Sequence, residues 1–257
     1  MDTVHAAQQL EQIAQDMDTI ARFVGAQDIE ELTAAASERV FGIPQVDVLV
    51  LFGGVILAGA DQFAQAMRNG VATTYVIDGG VGHTTLAFRQ SVRNLCLVVE
   101  FSDSASEAEI FEAYLGYICG LHADLLETKS TNCGNNITSL RDLLAAYKVS
   151  CQSMILMGDE TMQQRIAAVA AKEMPDIRTL SFASYQAKVV VDAEGASPAW
   201  AFKNEPRGTW CRDHYLELLM GEAPRLTDTA DGYGPKGKNF IVPVGGVPAE
   251  VTRAWNT

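Results

Sequence analysis

The 257 residues contain no C-x-x-C pair, no G-x-x-x-x-G-K-[ST] phosphate loop and no apolar run long enough to cross a bilayer. Each absence removes a class of function. The five cysteines, Cys96, Cys119, Cys133, Cys151 and Cys211, are odd in number and widely spaced. They offer neither a zinc ribbon nor a thioredoxin-type site, and reduced thiols are the simplest expectation. The longest uncharged apolar stretch runs from Val48 to Ala60 and holds a glycine pair, too short to span a membrane. The first twenty residues are acidic, lack Lys and Arg, and have no apolar centre, so they do not read as a secretory signal. A soluble, cytoplasmic protein without membrane insertion is the expectation. Basic residues are also short: 19 Lys and Arg face 32 Asp and Glu, a net charge of −13. Such a field repels polyanions, so nucleic acid is not an expected partner. It leaves room for a small anion, because a local cluster of backbone N–H groups overrides a distant field. Asp228 and Asp231 are too few for a calcium loop, and no metal site is expected.

What is present is an alternation of short apolar runs and helical stretches. Two helices, about Val4–Val24 and Ile29–Val40, come before any strand signal, with Leu10, Ile13, Ala14, Met17, Ile20, Ala21 and Val24 at helical spacing. Then Val46–Phe52, Thr73–Ile77, Ala123–Leu126 and Ser153–Met157 each lead through a small polar turn into a helix, and Arg178–Phe182 supplies a fifth run. Runs this short and apolar suit strands buried on both faces. The order predicts an α/β fold: a Rossmann-like parallel sheet with helices on both faces, plus a smaller, mainly helical portion. The expected division is an N-terminal helical segment at 1–42, the α/β domain at 43–183 and a C-terminal segment at 184–257. That last segment should hold a short hairpin around Val189–Val191, a helix from about Arg207 to Met220, a strand at Asn239–Val242 and a helix starting near Pro248. In such sheets ligands bind beyond the carboxyl ends of the strands, near the point where strand order reverses. All the small polar turns fall at that edge.

Two turns carry the strongest signals. Gly79-Gly80-Val81-Gly82-His83-Thr84 follows a strand and opens a helix, where glycines allow close backbone approach and N–H groups face an anion. It is not G-x-G-x-x-G, and a turn shaped only by packing is the alternative. His83 could exchange protons near neutral pH. The second stretch sets Glu127 at a strand end, followed by Ser130-Thr131-Asn132-Cys133-Gly134-Asn135-Asn136 at a helix start. Capping accounts for some of these residues, but the run is longer than capping needs, and a polar pocket wall is the preferred reading. Cys133, at a helix N-terminus, could have a lowered pKa and act as a nucleophile, but no partner histidine is marked and an inert thiol is the preferred reading. Arg165, in Thr161-Met162-Gln163-Gln164-Arg165, suits either an acidic ligand or an internal salt bridge. The charged, glycine-rich stretch around Asp231–Lys238 reads as a lid over the cleft or as a solvated connection.

These stretches together resemble the SanA/ElyC/YdcF family, whose function is unknown. The likeness runs from the first strand to the C-terminus and is densest at Gly79–Thr84 (GGVGHT), Ser130–Asn136 (STNCGNN), Thr161–Arg165 (TMQQR), Gly221–Val242 (GEAPRLTDTADGYGPKGKNFIV) and Pro248–Thr257 (PAEVTRAWNT). The family's hallmark resembles E-x-x-S-x-N-[TC]-x-E-N, which Glu127, Ser130, Asn132, Cys133 and Asn136 fit, while Asn135 stands where the family has Glu. The resemblance implies a nucleotide-type α/β fold and S-adenosylmethionine as a cofactor or ligand. The envelope role of the membrane-anchored members is not carried over, since no segment here reads as an anchor.

The expectation is a protein that binds a nucleotide-like small molecule, with S-adenosylmethionine the lead candidate. Gly53, Gly54, Gly80, Gly82, His83 and Thr84 would line the backbone-rich side of a cleft at the strand ends. Ser130, Asn132, Asn136 and Arg165 would line the polar side, with Glu127 opposing a sulfonium or holding ribose hydroxyls. The alternative is a hydrolase or transferase acting on a phosphorylated small molecule, with Glu127 or His83 handling protons. No oligomeric state follows from the sequence.

Overall fold

The computed structural model describes residues 3–192 and 199–257, the side chains of residues 3–6 and of residue 133 excepted. Five parallel strands form one sheet: β1 (Val46–Phe52), β2 (Ala72–Asp78), β3 (Leu125–Glu127), β4 (Ser153–Gly158) and β5 (Arg178–Ala183), in the order β3-β2-β1-β4-β5. The α/β, Rossmann-like expectation therefore holds. The apolar runs became strands because both faces are covered: every residue of β1 except Asp47 is buried, and so is all of β4. Leu49 and Phe52 are among the largest fully enclosed side chains, each contributing about 1.5–3 kcal/mol of transfer free energy.

Right-handed crossovers with this order place α3 (Ala58–Arg68), α4 (Thr85–Leu95) and α5 (Glu107–Tyr114) on one face, and α6 (Cys133–Ala146) and α7 (Gln163–Glu173) on the other. The α6 and α7 helices pack side by side. The α1 helix (Thr3–Val24) packs on α7, on α8 (Arg212–Arg225), on α9 (Ala249–Trp255) and on β6 (Val189–Asp192). Its inner face is Ala14, Met17, Ile20, Ala21 and Val24, the apolar stripe seen in the sequence. The hairpin exists as β6 paired antiparallel with β7 (Ala199–Phe202). Among the described residues, no helix is long and apolar enough to cross a membrane.

Several boundaries moved, each for a local reason. The α2 helix (Ala34–Phe41) begins later than its apolar pattern because the Thr33 hydroxyl accepts the Ala36 N–H at 3.2 Å and caps it there. The α5 helix ends in a π-helical turn, Leu115–Cys119, closed by Gly120 at φ 66°. The α8 helix starts at Arg212 rather than Arg207 because Gly208, at φ 80°, packs its backbone against Val55 and Leu57 of the β1–α3 turn. The strand expected at Asn239–Val242 does not form. The Phe240 and Ile241 N–H groups donate instead to the Tyr233 carbonyl, and that of Val242 to Ala168, so the segment folds back on its own loop.

Candidate functional site

The glycine turn after β2 is packed, not hollow. The Gly80 N–H donates to the Ser130 hydroxyl at 2.9 Å, and Gly79 N–H to the Glu127 carbonyl at 3.0 Å. A Cβ on Gly80 would overlap the Ser130 carbonyl, and one on Gly79 would stand 2.9 Å from the Gly53 Cα. These glycines let three strand ends touch each other, the packing alternative raised by the sequence. On the same turn, Glu107 from α5 accepts hydrogen bonds from the hydroxyls of Thr84 at 3.2 Å and Thr85 at 2.9 Å. Burial raises the Glu107 carboxyl above its usual range, partly offset by those hydroxyls and by Arg89. His83 is exposed, and neither Gly54 nor Gly82 meets crowding atoms.

Asp78 ends β2 in register with Phe52 on one side and Glu127 on the other. It is fully buried, and neither carboxyl oxygen has a hydrogen-bond partner among the described residues. Burial, then the adjacent Glu127 carboxylate, pushes the Asp78 carboxyl well above its ordinary value. Glu127 plays a structural part. Its two oxygens accept the N–H groups of Lys129 at 2.7 Å and Ser130 at 3.1 Å, which bends the chain into the next turn.

That next turn is mostly self-capping. The Asn132 side-chain oxygen accepts the N–H groups of Gly134 and Asn135, and the Asn135 oxygen accepts those of Thr131 and Asn132. This is a reciprocal capping box. Asn135 thus performs the bond that Glu or Gln makes at the third helical position. Thr131 accepts from both Asn side-chain amides. Capping explains more of the polar run than its sequence suggested.

Beside the boundary between β1 and β4, where a Rossmann sheet ordinarily receives its ligand, the two acidic side chains after β4 are engaged by the chain itself. Asp159 accepts the Thr161 N–H and hydroxyl and the Tyr185 hydroxyl. Glu160 accepts the Ala187 N–H at 2.9 Å and the Tyr215 hydroxyl of α8 at 3.0 Å. Burial pushes the Glu160 carboxyl up to about 8, with those two bonds opposing the shift and Asp159 and Asp18 adding to it.

Open space lies to one side. A cavity of about 550 Å³ sits between α6, α7 and the 233–240 loop, lined by Asn132, Gly134, Asn135, Thr138, Arg165, Val169, Lys172, Glu173, Tyr233, Asn239 and Phe240. That volume suits a small organic ligand. Both helices begin at the carboxyl edge of the sheet, and the lining runs from Asn132 and Arg165 near that edge to Lys172 and Glu173 at the far end of α7. The 233–240 loop is a tightly bonded wall. Asp228 accepts the Lys236 N–H at 2.8 Å, and Tyr233, Gly234 and Lys238 donate backbone bonds to Arg225, Thr227 and Gly232. A side chain at Gly232 or Gly237 would overlap backbone atoms. On the opposite wall, the buried Glu222 accepts Arg165 Nε at 2.5 Å and Arg225 Nη1 at 3.1 Å. The salt-bridge reading of Arg165 is therefore realised, and it still lines the cavity.

Of the residues singled out from the sequence, Asn132 and Arg165 reach this cavity, together with Gly134 and Asn135 of the polar run and Tyr233 of the Asp231–Lys238 stretch. Ser130 is buried against Gly80, Asn136 is buried in the first turn of α6, and Gly53 packs on Gly79 and Glu107. Glu127 and His83, the two proton-transfer candidates, stand on different turns, one buried and one exposed. Thr138, Val169, Lys172 and Phe240 were missed. A signal existed: Arg165, Val169 and Lys172 recur at i, i+4 and i+7, one stripe of a helix, but its mixed chemistry masks it as an ordinary solvated face. A second cavity, about 310 Å³, lies between α8 and α9 beside Ala223, Val247 and Trp255. Among the described residues, no group of His, Cys, Asp and Glu is arranged to hold a metal ion. No family model matches the chain.

Proposed function

We propose that this protein binds a nucleotide-like small molecule in the α6–α7 cavity, the family resemblance supplying S-adenosylmethionine as one candidate. The observation that carries the reading is the make-up of the walls. Tyr233 and Phe240, with ring centroids 5.4 Å apart, offer flat apolar surface to a base. Asn132, Asn135 and Thr138 offer donors and acceptors to a sugar, and Arg165 and Lys172 face the same space. A few convergent polar groups in a partly apolar hollow is the usual form of a small-molecule site. The glycine and Glu127 turns brace that wall from behind, through Ser130 and the α6 cap. The four described cysteines are free thiols, which suits a cytoplasmic setting.

Isothermal titration with S-adenosylmethionine, S-adenosylhomocysteine, adenosine and AMP is the test. Heat and a rise in Tm with at least one of them, weakened by Phe240→Ala, supports the reading. No heat and no shift with any of the four at millimolar concentration overturns it.

A further inference from the structure

The charge of the cavity walls decides which nucleotide can enter, a conclusion that rests on the cavity being the ligand site. Its charged lining residues are Arg165, Lys172 and Glu173, two cations against one anion. Glu173 is already approached by Arg141 of α6 at 3.4 Å. The Lys172 ammonium donates to the Asn239 carbonyl, a neutral acceptor that leaves its charge in place. Arg165 is held in position by Glu222, which it shares with Arg225, so one buried carboxylate serves two guanidinium groups. The lining is therefore net positive inside a chain whose total is −13, and a partly enclosed hollow strengthens such a local field. Arg165 and Lys172 are two helical turns apart, roughly 10 Å along α7, with the aromatic pair on the facing loop.

We infer that the cavity selects a nucleoside carrying a phosphate over one carrying a sulfonium or no charge. The phosphate sits at the Arg165 end, beside the first turn of α6, and the base lies against Phe240 and Tyr233. A guanidinium matches phosphate oxygens with parallel N–H bonds. A sulfonium at the same place meets the Arg165 guanidinium, with the Lys172 charge about 10 Å further along the same wall, and Glu173, the one lining carboxylate, is already approached by Arg141.

Titration of the full chain with AMP, adenosine, S-adenosylmethionine and inorganic phosphate tests this at two salt concentrations. AMP is expected to bind at least tenfold tighter than adenosine and than S-adenosylmethionine, with an affinity that falls as salt rises. Lys172→Gln leaves no buried carboxylate unpaired and should weaken AMP several-fold while adenosine is unchanged. Arg165→Lys, checked for unchanged Tm, should weaken AMP more. Equal affinity for AMP and adenosine, tighter S-adenosylmethionine than AMP, or an unchanged AMP affinity in Lys172→Gln overturns the charge selection and leaves the nucleotide site standing. Silence from all four ligands overturns both.

Discussion

At the ends of β1, β2 and β3, Gly80 meets the backbone of Ser130 and Gly79 that of Gly53, with no space between them. One helical turn further along, Asn132, Gly134 and Asn135 border about 550 Å³. The two stretches are close in sequence composition and share one edge of the sheet. In the first, glycine removes side-chain bulk so that backbones can touch. In the second, small residues cap a helix that borders open space shared with α7 and the 233–240 loop. Small polar residues at a strand end thus mark close approach, and what approaches is settled by the partner element. The turn after β4 teaches the same lesson, since there α8 and the 185–187 segment take up the hydrogen-bonding groups of Asp159 and Glu160.

The sharpest way to break this contrast is at Gly80. A Cβ there overlaps the Ser130 carbonyl, a backbone atom that cannot rotate away. Gly80→Ala should cost upwards of about 3 kcal/mol or abolish folding. Gly82→Ala, whose Cβ would sit 3.5 Å from the nearest atom at an ordinary φ, should stay within about 1 kcal/mol. Urea denaturation of the two variants reads the difference. Similar losses in both would mean that the turn is loosely packed and open to a ligand.

The next effect comes from pH. Glu160, Asp78 and Glu107 all have carboxyl groups whose pKa is raised by burial. A raised folded pKa means that the native state binds more protons than the unfolded chain. Stability is then fully present below the ordinary carboxylate pKa and is lost as pH rises through the folded value, about 8 for Glu160. Denaturation midpoints should fall steadily between about pH 5 and pH 9. Glu160→Gln keeps an acceptor for Ala187 and Tyr215 and cannot ionise. It should flatten part of that slope, worth on the order of 2–4 kcal/mol at the alkaline end. A variant with the wild-type slope would show that Glu160 is solvated, and the switch point open.

The strands were legible in the sequence because a parallel sheet buried on both faces demands uninterrupted apolar runs, and Val46–Phe52 and Ser153–Gly158 supply them. The turns were readable as turns. Their partners were not, because which backbone lies against Gly80 depends on Ser130, fifty residues away. The Asn239–Val242 segment looked like a strand by composition, yet its N–H groups from Phe240 to Val242 turn to Tyr233 and Ala168. Arg165 was found but its partner Glu222 was not, since a contact across 57 residues leaves no local trace. Phe240 and Lys172 were missed because a cavity wall assembled from two helices and a loop has no spacing of its own.

A smaller change separates cap from pocket. Asn132→Ala removes the acceptor for the Gly134 and Asn135 N–H groups and should cost about 1 kcal/mol. It also takes a polar group from the cavity, so stability and binding fall together and the two roles stay mixed.

Asn135→Glu unmixes them. Glu at the third helical position makes the same reciprocal bond to the N-cap backbone, and its charge is favourable at a helix N-terminus. Stability should therefore change by no more than about 0.5 kcal/mol. The same side chain lines the cavity, where a new negative charge opposes an anion near Arg165. AMP affinity should drop several-fold and adenosine affinity should hardly move. If neither ligand responds, residue 135 is a cap alone and the ligand lies elsewhere. If adenosine weakens as much as AMP, the residue acts through shape, and the charge of the wall is not what selects.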